Sequence, residues 1–422
     1  MYKRTDLDNG IRIVTNKMPG RQSLALGIWI NIGGRHETFK NKGIAHYLEH
    51  LLFKGTKKYT HRDIKESIEG VGGALNGFTS EEFTCYLVKM PADYLDIALN
   101  VLSDMVLNPN IPEDEVNKEK TVILEELKMY RDQPQSYVYE LLDELLWPNQ
   151  PLGSPIIGSV ESVSRVNKEA LHSFRNNYYT ASNIVISAAG ELEHKKLSDK
   201  VSKIFRAEKK QSRNVFVKAK EAQILPQLKL FVKDTEQTHM ALGFHAFSRE
   251  HPLKHALGML HVILGGNMSS RLFEEVREKR GLAYEIGSAV KRYLDTGAFL
   301  VHAGIDNSKV VESIGLILTE LKKTKEELVS AGEFKRAKEF YLGQLKLALE
   351  DTLDNMLWIG EGTAAIDKMR TLDDVVKEVN KIKREDLRNA AGQIFIDKKL
   401  NIALIGPIKD IEQDIYNKLK VE

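Results

Sequence analysis

Two periodicities of apolar and polar residues follow one another along the chain and predict its strands and helices. Segments 24–32 (LALGIWINI) and 83–90 (FTCYLVKM) are rich in Ile, Val, Phe and Tyr, which is typical of buried strands. Segments 93–107, 114–132 and 136–147 repeat apolar residues every three or four positions, which predicts amphipathic helices. Helices follow strand pairs more often than they separate single strands, so we predict an α+β fold rather than a doubly wound α/β fold.

Three short similarities recur at nearly one offset and indicate an internal duplication. The matched positions, with offsets of 216, 215 and 218, are Ala25 and Ala241, His46 and His261, and Asn183 and Asn401. A repeat of about 200 residues predicts two duplicated domains. Segment 207–227 is polar, basic and aperiodic, so we predict a linker there, between an N-terminal domain at 1–206 and a C-terminal domain at 228–422.

Composition and charge argue against several classes of protein. The 422 residues include 61 Lys and Arg against 59 Asp and Glu, and a net charge of +2 argues against a nucleic-acid or membrane-surface binder. The single cysteine, Cys85, excludes an internal disulfide and a cysteine-rich zinc site. The sequence shows neither an apolar run of about 20 residues nor a signal-peptide core, so we expect a cytoplasmic protein. A mature protein of an organellar matrix would share these features.

The segment His-x-x-Glu-His at 46–50 carries the strongest chemical signal. His46 and His50 are four residues apart, which on a helix places both imidazoles on one face, within about 6 Å of each other. Neutral imidazole is a good ligand for Zn²⁺. Glu49 lies beside them, where a carboxylate accepts a proton from water activated by the metal. This spacing is the inverted zinc-peptidase motif.

A catalytic zinc site needs a third protein ligand, and the predicted helix at 114–132 offers three glutamates. Glu119 and Glu126 are two helical turns apart and share one face, whereas Glu125 lies about 100° around the helix from Glu126. Glutamates on helices usually face solvent. The spacing alone therefore leaves the choice of ligand open.

Segment 46–56 (HYLEHLLFKGT), followed by 120–132 (KTVILEELKMYRD) and 267–288 (NMSSRLFEEVREKRGLAYEIGS), resembles the pitrilysin and mitochondrial processing peptidase family of zinc metallopeptidases. The segments occur in the order of the family and span nearly the whole chain. The resemblance implies two duplicated α+β domains, each a mainly antiparallel sheet packed with helices. This implied fold agrees with the repeat offsets.

The resemblance also implies a ligand set. It makes Glu126 the third ligand, so that His46, His50 and Glu126 hold one Zn²⁺ per chain, with Glu49 as the catalytic base. Glu119 matches an additional acidic residue of the family, which supports the site without necessarily binding the metal.

Further positions match the substrate-binding segments of the family. Ala74 and Asn76 lie on the implied substrate-binding edge, although Asn76 beside Gly77 equally suits a turn. Arg277 and Tyr284 match a pair that faces the substrate, where Tyr284 donates to the oxyanion of the intermediate and Arg277 orients the substrate main chain or stabilises charge. The second half lacks counterparts of the catalytic base and the second histidine, so it is expected to act as a clamp without a metal.

The resemblance therefore implies a zinc metalloendopeptidase that hydrolyses peptides or unstructured protein segments. The alternative is a non-catalytic structural or processing subunit of a family heterodimer, although such subunits typically lack a ligand or the base, and this chain has all of them. A metallohydrolase acting on another substrate fits less well, because the likeness includes the substrate-binding segments. Family members enclose their substrate with two pairs of domains, and this chain has one pair, so we expect a homodimer.

Overall fold

The structure is a computed structural model, and it describes residues 1–206, 215–408 and 411–421. The strands in these ranges are β1 (Tyr2–Asp6), β2 (Arg12–Lys17), β3 (Ser23–Ile30), β4 (Ala74–Thr79), β5 (Thr84–Pro91), β6 (Ile184–Gly190), β7 (Gln227–Val232), β8 (Thr238–Ala246), β9 (Ala283–Arg292), β10 (Gly297–Ile305) and β11 (Leu400–Gly406). The α-helices in the same ranges are α1 (Ile44–Leu52), α2 (His61–Glu69), α3 (Leu95–Leu107), α4 (Glu113–Asp132), α5 (Pro134–Leu146), α6 (Val160–Arg165), α7 (Lys168–Tyr178), α8 (His194–Ile204), α9 (Lys254–Leu264), α10 (Val310–Glu326), α11 (Ala331–Ala348), α12 (Thr352–Ile366), α13 (Leu372–Asn380), α14 (Arg384–Ile394) and α15 (Glu412–Tyr416). None of the helices in the described ranges combines the length and the hydrophobicity needed to cross a bilayer.

Two sheets share one topology. The first has the strand order β1-β2-β6-β3-β5-β4, and the second has the order β7-β11-β8-β10-β9. Apart from β1, each sheet begins with one parallel pair, β2 with β6 or β7 with β11, and continues with antiparallel pairs. The strands β3 and β8, which contain Ala25 and Ala241, occupy equivalent positions. This match confirms the predicted α+β fold with two duplicated domains of mainly antiparallel sheet.

The chain divides into two compact units, and each is discontinuous in sequence. Among the described residues, the first unit lies within Met1–Lys128, Ser154–Val217 and Lys346–Thr371, and the second lies within Met129–Gly153, Lys218–Leu345 and Leu372–Glu422. The units therefore differ from the contiguous predicted domains in two segments: Met129–Gly153 belongs to the second unit, and Lys346–Thr371 belongs to the first. Residues 207–214 of the predicted linker lie outside the described residues, so the predicted boundaries stay a prediction.

One helix from each half of the sequence packs on the sheet formed mainly by the other half. Helix α5 contacts β8, β11 and β7, while α12 contacts β6, β3 and β2. Along β3 the side chains alternate: Leu26 and Ile28 face the main core of the first unit, whereas Trp29 faces α12. Because the first sheet is apolar on both faces, each face needs a covering layer, and α12 supplies one of them.

The loop before α1 determines how that helix begins. Gly43 adopts a φ of 93° at the N-cap, a conformation that favours glycine. The buried Glu37 accepts hydrogen bonds from the backbone N–H groups of Ala45 over 2.7 Å and Gly43 over 3.0 Å. Leu48 and Leu51 anchor α1 in the core beneath. The first turn of α1 is thus capped from outside the helix and held against β4 and β5.

Candidate metal centre

Three side chains from two helices of the first unit converge on one point. His46 and His50 lie on α1 and Glu126 lies on α4, and their ligand atoms are all within 4.8 Å of one another. Glu126 Oε2 is 3.7 Å from His50 Nε2 and 4.0 Å from His46 Nε2. Ligand atoms at zinc distances in a tetrahedron are about 3.4 Å apart, so both separations are somewhat wider than in a zinc site, and small side-chain shifts would let Glu126 and the two histidines share one ion. No other set of three His, Cys, Asp or Glu side chains comes together in this way within the described ranges.

Tertiary packing separates the three candidate glutamates of α4. Glu126 faces the two imidazoles, while the buried Glu119 accepts a hydrogen bond from His50 Nδ1 over 2.8 Å. Lys54 Nζ lies 2.5 Å from the other oxygen of Glu119. Glu125 points to solvent and pairs with a surface lysine. Of the three, Glu126 therefore lies where it could share an ion with both histidines, whereas Glu119 bonds the other ring nitrogen of His50, and its support of the site stays a prediction.

The charges around the two imidazoles suit a cation. Burial, together with the nearby His50, lowers the pKa of His46 to about 3, so this imidazole is neutral and able to bind a metal at neutral pH. Burial lowers the pKa of His50 as well, but the hydrogen bond with Glu119 and the neighbouring carboxylates outweigh burial and raise it above its usual value. Burial raises the pKa of Glu126 against the opposing effect of His50. A cluster in which carboxylates surround two imidazoles favours an added divalent cation.

Glu49 lies on the side of α1 that faces β4. It is 8% exposed, and Thr79 Oγ1 donates a hydrogen bond to its Oε2 over 2.8 Å. Burial raises the pKa of Glu49 above its usual value, although the Thr79 hydroxyl and His50 oppose this shift. A carboxylate with a raised pKa, held next to a candidate metal ligand, is suited to accept a proton.

Ala74 and Asn76 lie on β4, the outer strand of the first sheet, which pairs with β5 along one edge. Both residues are exposed. Asn76 Oδ1 accepts a hydrogen bond from the backbone N–H of Gly77 over 2.8 Å. Because Asn76 pairs with Leu87 inside the strand, the alternative interpretation of Asn76 as a turn residue is wrong. Its contact with a substrate stays a prediction.

Arg277 and Tyr284 lie together in the second unit. Arg277 belongs to a π-helical turn at Phe273–Glu278, and Tyr284 follows at the start of β9. The Arg277 guanidinium is 5.6 Å from the centre of the Tyr284 ring, and Tyr284 is 75% exposed. The structure thus brings the pair into contact with each other, while their action on a substrate stays a prediction.

Two residues of the first-unit cluster were missed in the sequence, namely Lys54 and Thr79. Lys54 lies four residues after His50, so helical spacing could have predicted that its side chain lies near that histidine. Thr79 carried no such signal, because its contact with Glu49 depends on how β4 packs over α1.

The sequence matches two family descriptions in succession. Residues 12–160 match "Insulinase (Peptidase family M16)", and residues 165–341 match "Peptidase M16 inactive domain". YmxG of Bacillus subtilis, an uncharacterized zinc protease, is 36% identical over 96% of this chain and 98% of its own length. An uncharacterized zinc protease of Streptomyces coelicolor is 34% identical over 97% of this chain and 90% of its own length.

Solved structures share the fold. A protease from Helicobacter pylori has a TM-score of 0.90 at 24% identity, covering 96% of this chain and 99% of its own. A protein from Pseudomonas fluorescens, described as a peptidase M16 inactive domain, has a TM-score of 0.89 at 18% identity, covering 97% and 98%. The near-complete sequence matches and the shared topology confirm the resemblance seen in the sequence, and this chain belongs to peptidase family M16.

Proposed function

We propose that this protein is a zinc-dependent endopeptidase that hydrolyses peptides or unstructured protein segments. The observation that carries the proposal is the approach of the ligand atoms of His46, His50 and Glu126 to within 4.8 Å, with Glu49 beside them. When bound there, zinc supplies Lewis acidity, which lowers the pKa of water in its open position to about 7. Because the described residues contain one such cluster, we propose one Zn²⁺ per chain.

The side chains around the ion would divide the remaining work. Glu49 takes the proton from the attacking water and passes it to the leaving amine. Glu119 holds His50 in the tautomer that leaves Nε2 free, because its carboxylate can only accept the proton of Nδ1. The free edge of β4 offers main-chain hydrogen bonds to an extended peptide with little dependence on its sequence. We propose Arg277 and Tyr284 as donors to developing charge on the substrate.

The relatives support this proposal at the level of their names. Proteins from Bacillus subtilis and Streptomyces coelicolor that match nearly the whole chain are both called zinc proteases. The competing proposal is a non-catalytic subunit of a larger assembly. It is disfavoured because the chain retains both histidines, the glutamate ligand and the base.

The test compares wild type with Glu49→Gln on a library of internally quenched peptides. Glu49→Gln should keep zinc at wild-type stoichiometry and lose about 10²–10⁴-fold in kcat/KM, because it removes the proton acceptor but leaves the ligands in place. Glu125→Gln, an equal change at the surface of α4, should behave as wild type. Removal of zinc by a chelator should abolish cleavage, and added zinc should restore it.

Two outcomes would contradict the proposal. Cleavage by Glu49→Gln at the wild-type rate would show that Glu49 is not the catalytic base. Failure of the zinc-loaded wild type to cleave any peptide would favour the non-catalytic subunit. The homodimer is a separate proposal, for which light scattering should give twice the mass of one chain.

A further inference from the structure

A single hydrogen bond connects the outer strand of the first sheet with the candidate base. Thr79 is the last residue of β4, and its Oγ1 lies 2.8 Å from Glu49 Oε2. An ionised carboxylate only accepts hydrogen bonds, so the hydroxyl of Thr79 donates its one proton to Glu49. The neighbouring Thr84 does not compete for this role, because its own hydroxyl donates to the backbone oxygen of Ile32 over 3.0 Å.

The two oxygens of the Glu49 carboxylate have different surroundings. Thr79 occupies Oε2, whereas no donor among the described residues bonds to Oε1. Oε1 lies against the backbone of Gly77, where an added Cβ would be 3.1 Å from Oε1 and 3.0 Å from the ring of Phe53. A side chain at position 77 would therefore crowd Oε1. Oε2 therefore accepts the hydrogen bond from Thr79, and Oε1 accepts none from the described residues.

We propose that Thr79 is a positioning residue that fixes the Glu49 carboxylate so that Oε1 alone is presented for proton transfer. The inference rests on the proposed peptidase function. The terminal torsion of a glutamate is broad and roughly two-fold, so without the hydroxyl the carboxylate would rotate between orientations. A misplacement of about 1 Å in a reacting group can cost about 100-fold in rate.

Because Thr79 belongs to β4, this hydrogen bond also fixes the position of the Glu49 carboxylate relative to that strand. The exposed edge of the same strand carries Ala74 and Asn76, the predicted substrate contacts. A peptide added to that edge would be in register with the strand that holds the base. The hydrogen bond thus fixes the position of the carboxylate relative to the strand that would bind the substrate.

The experiment measures kcat, KM and zinc affinity for Thr79→Val and Thr79→Ser. Valine keeps the shape and loses the hydroxyl, so kcat should fall about 10–100-fold while KM and the zinc Kd stay within about two-fold of wild type. Serine keeps the hydroxyl and should restore kcat to within about three-fold of wild type. Thr121→Val, the same change at an exposed position of α4, should match wild type in all three values.

A double-mutant cycle tests whether Thr79 acts through Glu49. In the Glu49→Gln background, Thr79→Val should change the residual kcat less than about two-fold, because the group that it positions is already lost. If the valine variant does not fold, the serine and alanine variants give the same comparison.

The outcomes separate this inference from the proposed function. Wild-type kcat in Thr79→Val, or an equal loss in Thr79→Ser, overturns the positioning role while leaving a peptidase that depends on Glu49. A parallel loss of zinc affinity also overturns it, because the hydroxyl would then act on the metal site. Absence of cleavage by wild type overturns both proposals.

Discussion

Replacing Glu119 by glutamine tests whether the proposed metal centre depends on a residue that is not itself a proposed ligand. In the wild-type protein one oxygen of Glu119 accepts from His50 Nδ1 over 2.8 Å and the other lies 2.5 Å from Lys54 Nζ. Glutamine has a single oxygen, so either His50 or Lys54 would face an NH₂ group instead of an acceptor. The substitution preserves size and removes both the charge and one of the two contacts.

The expected result is a weaker zinc site with the same ligands. Loss of a carboxylate that orients a metal-binding histidine typically costs about 10–100-fold in metal affinity. We therefore expect the zinc Kd of Glu119→Gln to rise by this factor, which corresponds to about 1.4–2.7 kcal/mol. Glu126→Gln removes a proposed ligand and should lose more affinity than Glu119→Gln.

Competition against a chromophoric chelator at fixed pH measures the affinity. Glu125→Gln is the matched control, because Glu125 lies on the same helix and its ion pair with Lys128 is exposed to solvent. Its zinc Kd should stay within about two-fold of wild type. A wild-type Kd in Glu119→Gln would refute the argument that this carboxylate orients His50, and an equal loss in the control would show a general charge effect instead.

Two further predictions concern α12 on the first sheet, each measured by urea unfolding. An added Cβ at Gly360 would lie 2.2 Å from Trp29 Nε1, so Gly360→Ala should lower the free energy of unfolding by about 1–3 kcal/mol, whereas Gly343→Ala, in open space on α11, should not. Burial raises the pKa of Asp351, the N-cap of α12, but the Lys89 hydrogen bond and backbone N–H groups outweigh burial and hold it below its usual value. The lowered pKa means that this stabilisation is present above about pH 4 and is lost as pH falls through the folded-state pKa. Asp351→Ala should therefore cost about 0.5–2 kcal/mol at pH 7 and less near pH 3, and an equal cost at both would contradict this.

The sequence by itself determined those features that depend on local geometry. His46 and His50 share a face because a helix places residues four apart on one side, whatever surrounds it. The strands β3 and β5 were predicted from their apolar β-branched and aromatic residues, and the repeat offsets indicated two duplicated domains. These features follow from neighbours in sequence, where spacing and side-chain type set the outcome.

Only the tertiary structure decided which faces meet. Helical spacing left Glu119 and Glu126 on one face of α4. The packing of α4 beside α1 placed Glu119 at Nδ1 of His50 and Glu126 on the Nε2 side. The apolar stripe of α5 predicted an amphipathic helix, although not that its apolar side would pack on the second sheet. Burial of apolar area is non-directional, so a pattern shows that a face must be covered and leaves open what covers it. Thr79 and Glu49, thirty residues apart, meet for the same reason, because long-range contacts depend on the arrangement of whole elements rather than on spacing.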